Sequence, residues 1–107
     1  MTSHRTHRRW APLALAAWLA LVACGALAQD TARNLAATCA NCHGTNGAAR
    51  GDMKPLAGVS AAWIVAMLAD FKRGALPATS MHQIAKGYTD EQIRLSAGYM
   101  AAQPAAQ

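Results

Sequence analysis

Large apolar side chains are scarce in this sequence. Hydrophobic residues make up 53% of the 107 residues, but alanine supplies much of that fraction. Aromatic residues make up only 6% of the chain. The core of so small a domain contributes only about 3–5 kcal/mol, so such domains usually need a disulfide framework, a metal or another staple. A disulfide between Cys39 and Cys42 would close a very short loop and connect nothing distant. The composition therefore indicates that a buried apolar cofactor completes the core.

Several patterns are absent. No stretch alternates apolar and polar residues as a half-buried strand does, and no internal repeat or second domain is visible. The net charge of +5 comes mostly from the N-terminus, where Arg5, Arg8 and Arg9 lie, whereas all five acidic residues follow Ala28. No basic stripe with interleaved aromatic residues remains after that point. The sequence therefore predicts an all-α fold and argues against nucleic-acid binding.

The N-terminus has the pattern of an export signal. A basic head precedes an apolar run from Trp10 to Ala23, which is shorter than the ~20 residues that cross a bilayer. Ala26-Leu27-Ala28, directly after this run, is typical of a signal-peptidase site. We therefore predict a signal peptide over residues 1–28, a mature domain over residues 29–107, and a periplasmic location.

A second processing site overlaps the first. Leu21-Val22-Ala23-Cys24 resembles a lipobox, in which the signal ends before Cys24 and that cysteine becomes the lipidated first residue. Otherwise Cys24 is simply a small apolar residue at the end of the hydrophobic run. Cleavage after Ala28 is favoured because its Ala-x-Ala pattern is well placed. Membrane association is predicted only for a form lipidated at Cys24.

Three main helices are predicted after the leader, with irregular connections. The first is capped by Asp30 and runs to about Cys39. The second is capped by Ser60 and stops at Gly74. The third begins at a capping box, Thr89-Asp90-Glu91-Gln92, in which the first and last residues pair.

The most informative motif is Cys39-Ala40-Asn41-Cys42-His43, the attachment signature of c-type haem. Two thiols about one turn apart can each add across a haem vinyl group, and His43 then binds the iron from the proximal side. The other ring nitrogen of His43 needs an acceptor, usually a backbone carbonyl. We expect that carbonyl in the loop around Lys54-Pro55-Leu56. Because this haem is attached outside the cytoplasm, the motif agrees with the export signal.

Other uses of these cysteines fit less well. A thioredoxin-like dithiol needs a βαβ context, which the sequence does not have. A structural zinc site needs four ligands, and beyond Cys39, Cys42 and His43 the mature chain offers only His82. The sequence therefore favours haem.

The candidates for the distal iron ligand are four methionines and one histidine: Met53, Met67, Met81, Met100 and His82. Met67 and Met100 lie on apolar helix faces, where methionine usually packs, and Met53 lies in the loop needed on the proximal side. Met81 begins a short predicted helical turn that ends at Ala85, after an irregular stretch able to cross the distal face. Met81 is favoured because His/Met ligation is common in cytochromes c, and His82 is the alternative.

Four segments carry a family resemblance: Cys39–Gly44, Pro55–Gly58, Leu68–Gly74 and Met81–Ile93. In these segments the chain resembles the small class I cytochromes c of the c4 and c553 type, and is similar to the cytochrome subunit of flavocytochrome c sulfide dehydrogenase. The resemblance implies helices and irregular loops around one covalent haem, with Met81 as the family's ligand methionine. Relatives often have a residue between the proline and leucine that are adjacent here, so the carbonyl that faces His43 belongs to either Lys54 or Pro55.

The sequence is compatible with two functions. The first is a monohaem carrier that passes single electrons between periplasmic partners, such as a flavoprotein dehydrogenase or a terminal oxidase. The second is the haem subunit of a flavoprotein oxidoreductase such as sulfide dehydrogenase. In both, the chain transfers electrons and has no catalytic residues of its own. A gas sensor or peroxidase is disfavoured because it needs an open coordination position, which Met81 is expected to fill.

Overall fold

A computed structural model describes residues 11–105, with side chains from residue 13 onward. The predicted basic head, including Arg5, Arg8 and Arg9, lies outside these residues. Residues 11–105 form helices and irregular connections without a strand, which confirms the predicted all-α fold. The contacts of the chain fall into two compact units, residues 1–30 and residues 31–107. The cleavage position stays a prediction.

The first helix, α1 (Ala11–Ala37), is longer than predicted. Asp30 lies inside it, so the prediction that Asp30 caps a helix was wrong. The preceding residues are mostly alanine and leucine, which are strong helix formers, and nothing there stops the helix. Its part from Leu13 to Ala37 is long and apolar enough to cross a membrane, a test that signal sequences also pass. Large side chains of the first unit, such as Trp18 and Leu19, are at least 65% exposed.

The second unit contains four further α-helices within residues 31–105: α2 (Ala40–His43), α3 (Ala61–Lys72), α4 (Met81–Lys86) and α5 (Asp90–Ala101). A short 3₁₀ helix, Thr45–Gly47, follows α2. The predicted caps are confirmed: Ser60 Oγ accepts a hydrogen bond from Trp63 N at 3.2 Å. Thr89 and Gln92 form both bonds of the capping box, at 2.9 and 3.1 Å. The short turn predicted from Met81 is α4.

The core of the second unit lies where the end of α1 meets α3 and α5. Its buried members are Ala36, Ile64, Ala97 and Met100, none more than 4% exposed. Two of the four are alanines, so the core contains little bulk. The larger apolar side chains around it are only half-buried, among them Leu56, Val59, Val65, Leu68 and Tyr99. Much of the domain's apolar surface is thus not covered by its own chain.

Candidate functional site

Both cysteines of the motif and His43 lie on one helical turn, which we call the attachment turn (Cys39–His43). His43 N donates to Cys39 O at 2.8 Å, and Gly44 N donates to Ala40 O at 3.1 Å. Cys39 itself has helical dihedral angles, φ −68° and ψ −26°. Because Cys39 and Cys42 are three residues apart on this turn, their side chains lie on the same face. The turn therefore presents both thiols on one side.

The two thiols of the attachment turn differ in their surroundings. Both cysteines are free; Cys42 is exposed, whereas Cys39 is half-buried and packs against the core. Burial raises the pKa of the Cys39 thiol above its ordinary value of 9.0 because the thiolate loses hydration. Cys42 is thus the more accessible of the two nucleophiles.

His43 is oriented by a backbone hydrogen bond. Its Nδ1 lies 2.7 Å from the carbonyl oxygen of Lys54. A carbonyl only accepts, so Nδ1 carries the proton and Nε2 keeps its lone pair for a metal. Of the two carbonyls left open by the sequence, the structure selects Lys54 rather than Pro55. The Lys54 side chain turns elsewhere, with Nζ 4.6 Å from the centroid of the Trp63 ring.

The loop that carries Lys54 is held close to the attachment turn through Gly47. Gly47 O accepts hydrogen bonds from Leu56 N at 2.8 Å and from Ala57 N at 3.1 Å. Gly47 has φ +78°, and a Cβ there would lie 2.8 Å from Met100 Sδ and 2.9 Å from Ala57 N. Glycine is therefore required both for the conformation and for the close packing.

The candidate distal ligands lie in different surroundings. Met81 is the first residue of α4 and is half-buried, while Met53 is 43% exposed in the loop. Met100 is only 2% exposed and belongs to the core cluster, so its sulfur is engaged in packing. Met67, on α3, is half-buried. His82 Nδ1 is buried and lacks a hydrogen-bond partner among the described residues.

The donor groups of the attachment turn are not arranged around a single ion. Within residues 11–105, no three His, Cys, Asp or Glu side chains are grouped so that they could hold a metal. The same groups fit a covalent haem: two thiols on one face suit the vinyl groups, and His43 Nε2 suits the iron. The half-buried aliphatic side chains around the core suit the flat hydrocarbon ring.

Three side-chain contacts near the site were not predicted. Tyr99 donates its hydroxyl proton to Asn46 Oδ1 at 2.8 Å, joining residues 53 positions apart. Lys72 Nζ donates to Tyr88 O at 2.8 Å, and the Tyr88 hydroxyl is hydrogen-bonded to Thr38 Oγ1. Hydrophobic periodicity carries no signal for polar contacts between such distant residues, so sequence reasoning had no means of finding them.

No family model matches the chain. A segment of 65 residues is 43% identical to the cytochrome subunit of sulfide dehydrogenase from Chlorobaculum tepidum. The chain is similar to a cytochrome subunit. The match covers 61% of this chain and 59% of the relative, so the chain spans less than two thirds of that protein's length.

The predicted resemblance to the cytochrome subunit of sulfide dehydrogenase is thereby confirmed. The all-helical arrangement of the described residues is consistent with a class I cytochrome c. The narrower resemblance to the c4 and c553 type stays a prediction, as do the individual iron ligands.

Proposed function

We propose that the chain is an exported monohaem c-type cytochrome that carries single electrons between redox partners in the periplasm. In this proposal Cys39 and Cys42 hold the haem through thioether bonds, and His43 binds the iron on the proximal side. When bound, the haem supplies a reversible one-electron couple. The chain's own residues attach it, orient its ligands and exclude water from it.

The observation that carries the proposal is the bond from His43 Nδ1 to Lys54 O at 2.7 Å. It fixes the tautomer and the ring orientation that a metal-binding histidine needs, on the same turn as two free thiols. The bond also ties the Lys54 loop to the attachment turn, and it leaves Nε2 as the nitrogen that can bind iron.

Spectra of variants test the attachment. Cys39→Ser and Cys42→Ser should each lose one thioether and shift the reduced haem absorption to longer wavelength, and the double variant should lose covalent haem. Cys24→Ser is the matched control, because Cys24 lies in the first unit, and it should leave the spectrum unchanged. Covalent haem that persists in the double variant would contradict the proposal.

Met81 is proposed as the distal ligand. It begins α4 directly after Ser80 and is half-buried, whereas Met53 is 43% exposed. In the ferric protein a sulfur–iron charge-transfer band near the red end of the spectrum should be lost in Met81→Ala. Met67→Ala serves as the control and should keep the band. Retention of the band in Met81→Ala would assign the distal position to another methionine, and absence of the band from the wild type would favour His82.

The alternative is that the chain is the haem subunit of a flavoprotein oxidoreductase. It is supported by the relative, which is named as a subunit of sulfide dehydrogenase. Purification from the native host without overexpression separates the two functions. Recovery as a free monomer favours the carrier, and recovery with a flavin-containing companion favours the subunit.

Four basic residues of the second unit are the candidates for docking an acidic partner: Lys54, Lys72, Arg73 and Lys86. Two of these charges are already paired, because Lys72 Nζ lies 3.1 Å from Asp90 Oδ1 and Arg73 Nη2 lies 2.6 Å from Asp70 Oδ1. Such pairing weakens the field that steers an acidic partner. Lys72 and Arg73 should therefore contribute less to the association rate than Lys54 and Lys86.

Export is proposed from the leader over residues 1–28. Mass spectrometry of the protein from the native host distinguishes the two processing sites. A chain that begins at Gln29 supports a soluble periplasmic protein, and a diacylated Cys24 supports a lipid anchor.

A further inference from the structure

Three hydrogen bonds meet at Tyr88, in the connection between α4 and α5. Its hydroxyl is bonded to Thr38 Oγ1, and its carbonyl accepts from Lys72 Nζ at 2.8 Å. Its N–H donates to Ala85 O at 3.3 Å, at the end of α4. We call Tyr88 and its two side-chain partners, Thr38 and Lys72, the Tyr88 clasp.

The direction of the hydroxyl bond follows from proton counting. The Thr38 hydroxyl has one proton, and it donates this proton to Leu35 O at 3.1 Å. Thr38 therefore accepts, and the Tyr88 hydroxyl donates. Because Thr38 immediately precedes Cys39, this bond ties the connection after α4 to the start of the attachment turn.

The second half of the clasp joins two more helices. Lys72 lies in the last turn of α3, and besides Tyr88 O its ammonium group contacts Asp90 Oδ1 at 3.1 Å, at the start of α5. The Lys72 side chain is 33% exposed, so its bond to the Tyr88 carbonyl is partly shielded from water. The clasp thus holds residue 88 against α3, α5 and the attachment turn together.

Helix α4 needs contacts of this kind. It has six residues, too few to be stable alone, and Ala85 is its one buried residue. At its N-terminal end, Ser80 makes no side-chain capping hydrogen bond. Packing of α4 on α3 and the clasp just beyond its C-terminal end therefore determine where the helix lies.

We propose that Tyr88 is a positioning residue for Met81. The inference rests on the proposed function, in which Met81 at the start of α4 binds the iron of a haem held by Cys39 and Cys42. For Met81 to reach that iron, α4 must keep its position relative to the attachment turn. The clasp links these two segments. Removing the clasp raises the fraction of molecules in which Met81 is not bound.

Competition with imidazole measures that fraction in the ferric, full-length holoprotein. Imidazole must displace the distal ligand, so its apparent affinity scales with the population from which that ligand is absent. Tyr88→Phe removes only the hydroxyl, and the loss of one neutral hydrogen bond changes an equilibrium constant by a factor of about five. We expect imidazole to bind about fivefold more tightly to Tyr88→Phe than to the wild type. Thr38→Val should give a similar increase, and the double variant should add little to either.

Tyr99→Phe is the matched control. Its hydroxyl also bonds to a residue about 50 positions away, Asn46 in the 3₁₀ helix, at 2.8 Å. This variant should lower the unfolding temperature about as much as Tyr88→Phe but leave the imidazole affinity unchanged. An equal increase in affinity in Tyr99→Phe would show general loosening and would overturn the proposal.

Three further outcomes are decisive. If Tyr88→Phe does not accumulate with haem, Lys72→Met tests the other half of the clasp and should raise the imidazole affinity at least about threefold; an unchanged affinity contradicts the proposal. If the wild-type ferric spectrum is the same as that of Met81→Ala, the proposed ligand fails and this inference fails with it. If the wild-type spectrum does depend on Met81 but Tyr88→Phe binds imidazole with wild-type affinity, the positioning role of Tyr88 is refuted and Met81 stays the ligand.

Discussion

Substitution of Gly47 by alanine probes the contact that holds the loop beside His43. Gly47 has φ +78°, and an added Cβ would lie 2.8 Å from Met100 Sδ, 2.9 Å from Ala57 N and 3.1 Å from Leu56 Cβ. One of these atoms is backbone and another belongs to a fully packed methionine, so neither can move away easily. The substitution should therefore both destabilise the domain and displace the loop.

The expected magnitude has two parts. A left-handed conformation costs a residue with a Cβ about 1–2 kcal/mol, and overpacking of a core adds about 1–3 kcal/mol. Gly47→Ala should thus lower the free energy of unfolding by about 2–5 kcal/mol, or the unfolding temperature by at least about 10 °C. Gly51→Ala is the matched control, because Gly51 has φ +70° but no atom within 4 Å of its added Cβ. Only the conformational cost of about 1–2 kcal/mol should remain there.

Thermal unfolding of the two holoprotein variants, followed by circular dichroism, measures the difference. The ferric spectrum of Gly47→Ala should also change, because Gly47 O holds Leu56 N and Ala57 N next to the Lys54 carbonyl. Equal unfolding temperatures for the two variants would refute the packing argument. An unaltered spectrum in a strongly destabilised Gly47→Ala would refute the link to His43.

The remaining predictions concern side chains in and around the domain. Ser96 is 5% exposed and its hydroxyl has no partner among the described residues, so Ser96→Ala should raise the stability by about 1 kcal/mol in thermal unfolding; destabilisation would contradict this. Lys54→Ala keeps the carbonyl that faces His43 and loses only the contact with Trp63, so it should cost about 1 kcal/mol or less and leave the haem spectrum unchanged.

Local signals in the sequence predicted much of the fold. The caps at Ser60 and Thr89 depend on residues three positions apart, and both are confirmed. The cap at Asp30 was wrong for a local reason too, since the leader is itself rich in helix formers and continues into the next segment. Capping chemistry identifies a helix start only where the preceding residues cannot be helical.

The site was predictable in its composition but not in its geometry. The motif from Cys39 to His43 predicted which groups lie together, whereas the choice of Lys54 over Pro55 needed the path of the loop. That path depends on Gly47, whose conformation has no periodic signature in the sequence. It also depends on α5, which lies far from the motif along the chain. The Tyr88 contacts with Thr38 and Lys72 were missed for the same reason.

The most direct test of the central claim is the intact mass of the purified protein after extraction with acidified acetone. That treatment removes haem held only by iron ligands and leaves haem held by thioether bonds. We predict that the protein retains the mass of one haem, and that tryptic mapping places it on the peptide containing Cys39 and Cys42. A protein that loses its haem on extraction, or that carries haem on another peptide, would contradict the account.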